Sequence, residues 1–311
     1  AFHASYFENL VSINLNDSEL KRSKILILKF SKNSVSKYNH ARDFVPDLPS
    51  KYILVIDQVL NDLSVKFGMA DKTSFDLMLS EAYNSDPSYK IVIKVHPDVY
   101  NKGKNSYLNF SKYLDNERFL IISKDCHIHN IIKHATKVYT VTSQVGFEAL
   151  ICGKKVKCFG MPFYAGWGLT EDLLPAPDRR IPVSLEQLVY AALVKYSKYI
   201  DPETNEPSSV ERTIEYVGFQ RRMRFRFPET IYAYGFSLWK KPILKKFSQG
   251  SEVIFIQKLS KVPKEATLMI WGSKEIEDLD ESIKIVRLED GFLRSVGLGA
   301  DFIHPLSWVF D

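Results

Sequence analysis

The chain has 311 residues, 45% hydrophobic and 13% aromatic, with 42 Lys and Arg against 37 Asp and Glu. That length and apolar share describe a folded protein of about two domains. A net charge of +5 does not by itself indicate a nucleic-acid binder; it suits an anionic small ligand or an anionic membrane surface.

The opening AFHASYFENL lacks the basic and apolar regions of a signal peptide, and it lacks an initiator Met, consistent with a fragment or a processed chain. No run of about 18 uncharged apolar residues follows, so no membrane span is expected. Residues 5–31 alternate apolar and charged positions at helical spacing, with Asn16-Asp17-Ser18 as the N-cap before Glu19. Lys51 to Ile56 is a β-branched run of the kind that forms a buried parallel strand, and it ends at Asp57. Thr73-Ser74 caps a helix to Tyr83. Tyr89–Val95 is a second strand, ending at His96-Pro97. Phe119–Ile122, Lys137–Val141 and Lys155–Phe159 are the third, fourth and fifth, with a helix from Gly146 to Cys152 between the last two. Strands alternating with helices predict a parallel α/β sheet, whose ligands bind beyond the carboxyl ends of the strands. Asp57, His96 and Thr142-Ser143 all fall there.

Further along, Ser184-Leu185-Glu186-Gln187 is a capping-box variant opening another helix. Asp201–Ser209 reads as a polar surface loop, and Glu211–Arg226 as an Arg-rich helix stopped by Pro228. The domain boundary is placed near 220, giving a Rossmann-like domain over residues 1–215. A second, partial α/β domain covers 225–311, with strands at Ile231–Tyr234, Glu252–Ile256, Leu268–Trp271 and Ile283–Leu288.

Chemistry concentrates in Thr142–Asp172. A Thr-Ser pair after an apolar run and a helix opening at Gly146 offer hydroxyls and free N–H groups to a phosphate. The same groups also serve ordinary helix capping. Glu148 on the first turn is placed to accept from ribose hydroxyls, or to stabilise the helix dipole. Tyr164, Gly166 and Trp167 lie in a Gly- and aromatic-rich loop that closes over a ring or packs on itself. Together these describe a site for a phosphorylated, ring-bearing ligand such as a nucleotide sugar. Asp57, at the end of an apolar strand, suits a partly desolvated nucleophile or base, or a helix N-cap. His96, held extended by Pro97, suits donation to a leaving phosphate, or a structural role.

The blocks GFEAL…PFYAGWGLTED and EDGFLRSVGLG, with Ile56-Asp57-Gln58 and Lys94-Val95-His96-Pro97, resemble the signature of KpsC-type capsule polysaccharide β-Kdo transferases over most of the chain. Members of that family often hold two tandem GT-B modules, each with its EDGF block first and its DQ, HP and TSQ blocks after. Here the order is rotated, with EDGF at 289–292. The resemblance therefore implies a junction fragment. Its first part is the donor-binding domain of one module, and its second the start of the acceptor-side domain of the next. A circular-permutation-like pairing of the halves is the alternative.

The resemblance implies retaining transfer of Kdo from CMP-Kdo to a glycolipid acceptor in synthesis of the capsule linker. Asp57 is the implied catalytic nucleophile, Glu289 the general acid/base and His96 the group at the leaving phosphate. Gln58, Pro97, Thr142, Ser143, Gln144, Gly146, Glu148, Tyr164, Gly166 and Trp167 are the implied donor-binding residues. Arg294 would hold the sugar carboxylate. Neither metal nor other cofactor is expected. The implied partners are the inner membrane surface and other capsule-assembly proteins, but no nucleic acid, and the three scattered cysteines fit a reducing cytoplasm. A transferase of another nucleotide sugar and an inactive nucleotide-sugar-binding module are the rivals. Cys126, His127, His129 and His134 match no zinc spacing. Lys240, Lys241, Lys245 and Lys246 beside Trp239 suit an anionic lipid surface or a solvated helix face.

Overall fold

The computed structural model describes residues 4–43, 48–110, 113, 115–274, 276, 279–296 and 303–311. The chain divides after Gly218 into two compact units.

The first unit is built on β1 (Tyr52–Ile56), β2 (Lys90–Lys94), β3 (Phe119–Ile122), β4 (Lys137–Thr140), β5 (Lys155–Cys158) and β6 (Glu171–Asp172). They form one sheet in the order β3-β2-β1-β4-β5-β6, every pair parallel. All five residues of β1 are buried. Ile53 and Val55 join one core layer, and Tyr52, Leu54 and Ile56 the other, as the two-residue period of a strand covered on both faces requires. Order reverses between β1 and β4. Such a switch point opens a crevice at the carboxyl edge of a doubly wound sheet.

Helices α1 (Tyr6–Val11), α2 (Asp17–Lys32), α3 (Leu63–Phe67), α4 (Lys72–Asn84), α5 (Pro97–Lys102), α6 (Ile128–His134), α7 (Val145–Ile151) and α8 (Leu185–Val189) flank the sheet; α8 runs on as a π-helical stretch, Tyr190–Tyr196. One core layer takes Phe75, Met78, Leu79 and Ala82 from α4; the other takes Leu26 from α2 together with residues of α6, α7 and α8. The capping boxes expected at Asn16/Glu19 and Ser184/Gln187 are both formed. The helix expected from Thr73-Ser74 instead starts at Lys72, because Asp71 accepts the Thr73 N–H. The polar stretch 201–209 contributes a short hairpin, β7 (Tyr199–Ile200) with β8 (Pro207–Ser208), before α9 (Val210–Arg224).

Glu8 locks the amino-terminal helix to the segment beyond the Gly-rich loop. It is buried, and pairs with Arg179 Nε at 3.0 Å and Arg180 Nε at 2.8 Å. Burial alone would raise its pKa, but the Ser5 N–H and the two guanidinium groups bring it from 4.5 down to about 2. A carboxyl held below its unfolded pKa contributes stability that is whole above pH 4.5 and is lost as pH falls towards 2. Glu8→Gln is therefore expected to cost about 2–3 kcal/mol at pH 7. It should also flatten the acid limb, measured as urea-unfolding free energy between pH 7 and pH 3.

The second unit holds β9 (Thr230–Tyr234), α10 (Lys240–Phe247), β10 (Glu252–Ile256), β11 (Thr267–Trp271), β12 (Lys284–Asp290) and β13 (Trp308–Phe310), in the sheet order β10-β9-β11-β12-β13. The first four strands are parallel. The fifth, which the sequence did not reveal, runs antiparallel to β12. Two of the four lysines of α10 lie over rings of their own unit: Lys240 Nζ is 3.3 Å from the Trp271 centroid and Lys241 Nζ 5.0 Å from that of Phe255.

Candidate functional site

The carboxyl ends of β1, β2 and β4 meet at a cleft of about 340 Å³ in the first unit, lined among others by Asp57, Gln58, Lys94, His96, Thr142 and Glu148. Asp57 leaves β1 with 1% of its surface exposed. Its carboxylate accepts from Ser106 Oγ at 2.7 Å and from the Leu108 N–H at 3.4 Å. Burial outweighs these bonds and lifts its pKa from 3.8 to about 6. The group is thus desolvated but ionised in its majority at neutral pH.

Gln58 and Thr142 brace the switch point. Gln58 Oε1 accepts the Thr142 N–H at 2.9 Å, and its Nε2 donates to Thr142 Oγ1 at 3.0 Å. Ser64 Oγ lies 3.1 Å from the same hydroxyl. Both side chains line the cleft, yet their polar atoms chiefly hold β1 to β4. Ser143 Oγ accepts the Val145 N–H at 3.3 Å, and the Gly146 N–H goes to the Ser143 carbonyl at 3.1 Å. The Ser143 hydroxyl and carbonyl thus bond within the turn that leads into α7. Gln144, the N-cap residue, makes no side-chain cap bond and lines the cleft.

Glu148, one turn into α7, is 3% exposed and accepts the Lys37 N–H at 3.0 Å. Burial pushes its pKa up, against bonds from Ser36 and Lys37. His96 caps α5, whose first residue is Pro97, and its Nδ1 accepts the Asp98 N–H at 3.1 Å. An accepting Nδ1 leaves the proton of the neutral ring on Nε2. Burial lowers the His96 pKa, which keeps the ring in that neutral form.

The aromatic loop departs from expectation. Tyr164 and Trp167 are fully buried in the core, not laid over the cleft; the neighbouring Phe163 lines it instead. The Tyr164 hydroxyl donates to the Ser143 carbonyl and Trp167 Nε1 to the Phe163 carbonyl at 2.9 Å. Arg180 lies 5.4 Å over the Trp167 ring and donates to the carbonyls of Pro162 and Ala165. Gly166 takes φ +79°, with its N–H on Asp172. A Cβ at Gly146 would stand 2.2 Å from the Tyr164 hydroxyl. These residues support the start of α7 from behind.

Two features of the cleft escaped the sequence reading. Lys94 ends the apolar strand KIVIK with its ammonium buried, donating to the carbonyls of Val95 at 2.8 Å and Lys124 at 3.3 Å; burial lowers its pKa. A lysine closing a buried strand was the signal available. Residues 36–41, of which Ser36, Lys37, Tyr38, His40 and Ala41 line the cleft, follow neither helical nor strand periodicity.

In the second unit, Glu289 and Asp290 end β12 with exposed side chains. Arg294 Nε lies 3.0 Å from Asp290 Oδ2, and its Nη1 donates to Ser295 Oγ and the Ile303 carbonyl. The Gly297-Leu298-Gly299 end of the EDGF block lies outside the described residues. Among the described residues no three His, Cys, Asp or Glu are grouped to hold a metal ion, and His127 serves as the N-cap of α6. Among them, too, no helix is long and apolar enough to cross a membrane.

A family profile described as "Capsule polysaccharide biosynthesis protein" matches residues 15–199. The capsule polysaccharide modification protein LipA of Neisseria meningitidis serogroup A is 38% identical over 300 residues, which are 89% of this chain and 42% of the relative. The chain thus spans less than half the length of that curated relative. Two solved structures of Thermosulfurimonas dismutans KpsC are similar. The beta Kdo 2,4 transferase is 33% identical with a TM-score of 0.64, covering 70% of this chain and 68% of that one. The beta Kdo 2,7 transferase is 34% identical with a TM-score of 0.54, covering 70% and 67%. The fold is accordingly α/β, with a GT-B-like Rossmann domain on a parallel sheet and a second α/β unit.

Proposed function

The chain belongs to the capsule polysaccharide biosynthesis family, as a KpsC-type protein, and from that premise we propose that its first unit is the donor-binding domain of a Kdo transferase that uses CMP-Kdo. One observation carries the reading: a desolvated carboxylate, a neutral imidazole donor and a buried glutamate face one cleft at the switch point of the sheet.

In this reading the ribose hydroxyls of the donor bond to Glu148, and the leaving phosphate receives the His96 Nε2–H. The Asp57 carboxylate attacks the anomeric carbon as the bond from that carbon to the phosphate oxygen breaks, giving a glycosyl ester and CMP. An acceptor hydroxyl then displaces Asp57 while a general base takes its proton. Two inversions retain the configuration. The proton on Nε2 meets the charge that develops on the departing phosphate, and partial burial of the imidazole strengthens that interaction.

We assign the second unit to the acceptor side of the following module, with Glu289 as its general acid/base and Arg294 as a fork for the sugar carboxylate. The acceptor is a glycolipid, so the protein works at the cytoplasmic face of the inner membrane with other capsule-assembly proteins.

The test is the intact mass of the purified chain after mixing with CMP-Kdo. A gain of one Kdo residue, absent in Asp57→Ala, is expected. CMP binding by calorimetry without an adduct would leave a donor-binding domain without turnover. Binding of UDP in preference to CMP would move the donor class, and binding of neither overturns the reading.

A further inference from the structure

The strap over residues 36–41 is built as a tight turn. Asn39 closes it from both sides: its Oδ1 accepts the Ser36 N–H at 3.0 Å and its Nδ2 donates to the Ser36 carbonyl at 2.6 Å. The turn therefore presents Lys37 and Tyr38 at its apex. Its far end is tied down separately, by His40 Nε2 on Asp125 Oδ2 at 2.8 Å and by the His127 N–H on the Arg42 carbonyl at 2.6 Å. Its near end is held by Glu148, which takes the Lys37 N–H.

On this frame Tyr38 is 54% exposed while lining the cleft, whereas Phe163, which also lines it, is packed against the core. The Lys37 ammonium lies 5.3 Å over the Tyr38 ring. An exposed ring that lines the cleft, held in place by an anchored turn, has apolar surface that a flat ligand covers. Glu148 also fixes where that ligand part falls. The peptide that Glu148 already holds is that of Lys37, and Tyr38 is one residue on, about 3.8 Å along the chain.

We propose that the Ser36–Ala41 strap is the base-recognition wall of the cleft and that the Tyr38 ring stacks on the nucleobase of the donor. This rests on the nucleotide-sugar reading above. It adds a binding residue outside the strand-end blocks, and it makes Glu148 the joint between sugar recognition and base recognition.

The experiment measures CMP and ribose 5-phosphate binding by calorimetry to the whole chain as wild type, Tyr38→Ala and Tyr38→Phe. Stacking of one base on one ring predicts a CMP affinity roughly tenfold weaker in Tyr38→Ala. Ribose 5-phosphate affinity should stay unchanged, and Tyr38→Phe should bind CMP like wild type. Because the side chain stands in solvent, the thermal melt of each variant should match that of wild type. Equal CMP affinity in wild type and Tyr38→Ala overturns the stacking role and leaves the donor reading standing. So does an equal loss of both ligands, which would mean a general disturbance of the cleft. If wild type binds neither ligand, the donor reading fails and this proposal with it.

Discussion

Asp57→Asn is expected to abolish the glycosyl adduct, slowing its formation on the order of a thousandfold or more, while making the first unit more stable at alkaline pH. The two effects share one cause. The carboxyl titrates near 6 in the fold against 3.8 when free, so the folded state holds its proton more tightly than the unfolded one. Its contribution is wholly favourable below 3.8 and is lost as pH rises through about 6; above that, the ionised group costs about 3 kcal/mol. An amide cannot ionise; its one oxygen accepts the Leu108 N–H, and its NH2, in place of the other oxygen, donates to Ser106 Oγ, whose proton turns to the Leu108 carbonyl. Urea unfolding at pH 5 and pH 8 should show wild type weakening between the two, and Asp57→Asn keeping most of its stability. A variant less stable than wild type at pH 8 would show that the carboxylate is not a strained, desolvated group.

The second large effect is structural. Gly146→Ala puts a methyl group 2.2 Å from the Tyr164 hydroxyl and 2.6 Å from its Cζ. The ring has no vacant side to move to. It is fully buried, 5.1 Å from Phe163 and 6.5 Å from Phe147 between centroids, and its hydroxyl holds the Ser143 carbonyl. Relief requires shifting α7 or expelling the ring, at a cost on the order of 4 kcal/mol. Because α7 carries Glu148, CMP affinity should fall with stability. A double-mutant cycle with Tyr164→Ala tests the cause. If the clash is responsible, the pair should be clearly less destabilised than the sum of the single changes; strict additivity would sink the explanation.

The sheet was legible because its strands carry short apolar runs, and a parallel sheet covered on both faces selects for them. β1, β2, β3, β4 and β5 came within one or two residues of their observed ends. β6 and β13 are two and three residues long, too short for a period to show. Asp57, His96 and Thr142 were placed at strand ends by the same runs. Burial and hydrogen bonding, which set what each of them can do, are long-range. Nothing local indicates that Ser106, 49 residues away, donates to Asp57. The aromatic loop misled for the opposite reason. Gly-rich sequence beside Tyr and Trp fits a mobile lid and a locked support equally well, and Arg180, which fastens the loop, lies beyond the block that drew attention.

The antiparallel β13 has a consequence for the order in which the second unit assembles. Residues 308–310 pair with 288–290, and the Gly291 N–H bonds to the Ser307 carbonyl. The acidic turn is thus finished by a segment made some 20 residues later in synthesis. β9, β10, β11 and most of β12 can associate as the chain emerges, but the backbone around Glu289 stays an open sheet edge until β13 arrives. In native-state hydrogen exchange, amides 289–291 and 308–310 should open together, at a free energy below that of β9 and β11. The part of this unit that bears its candidate acid/base would then be completed only once β13 is made, and would open before β9 and β11.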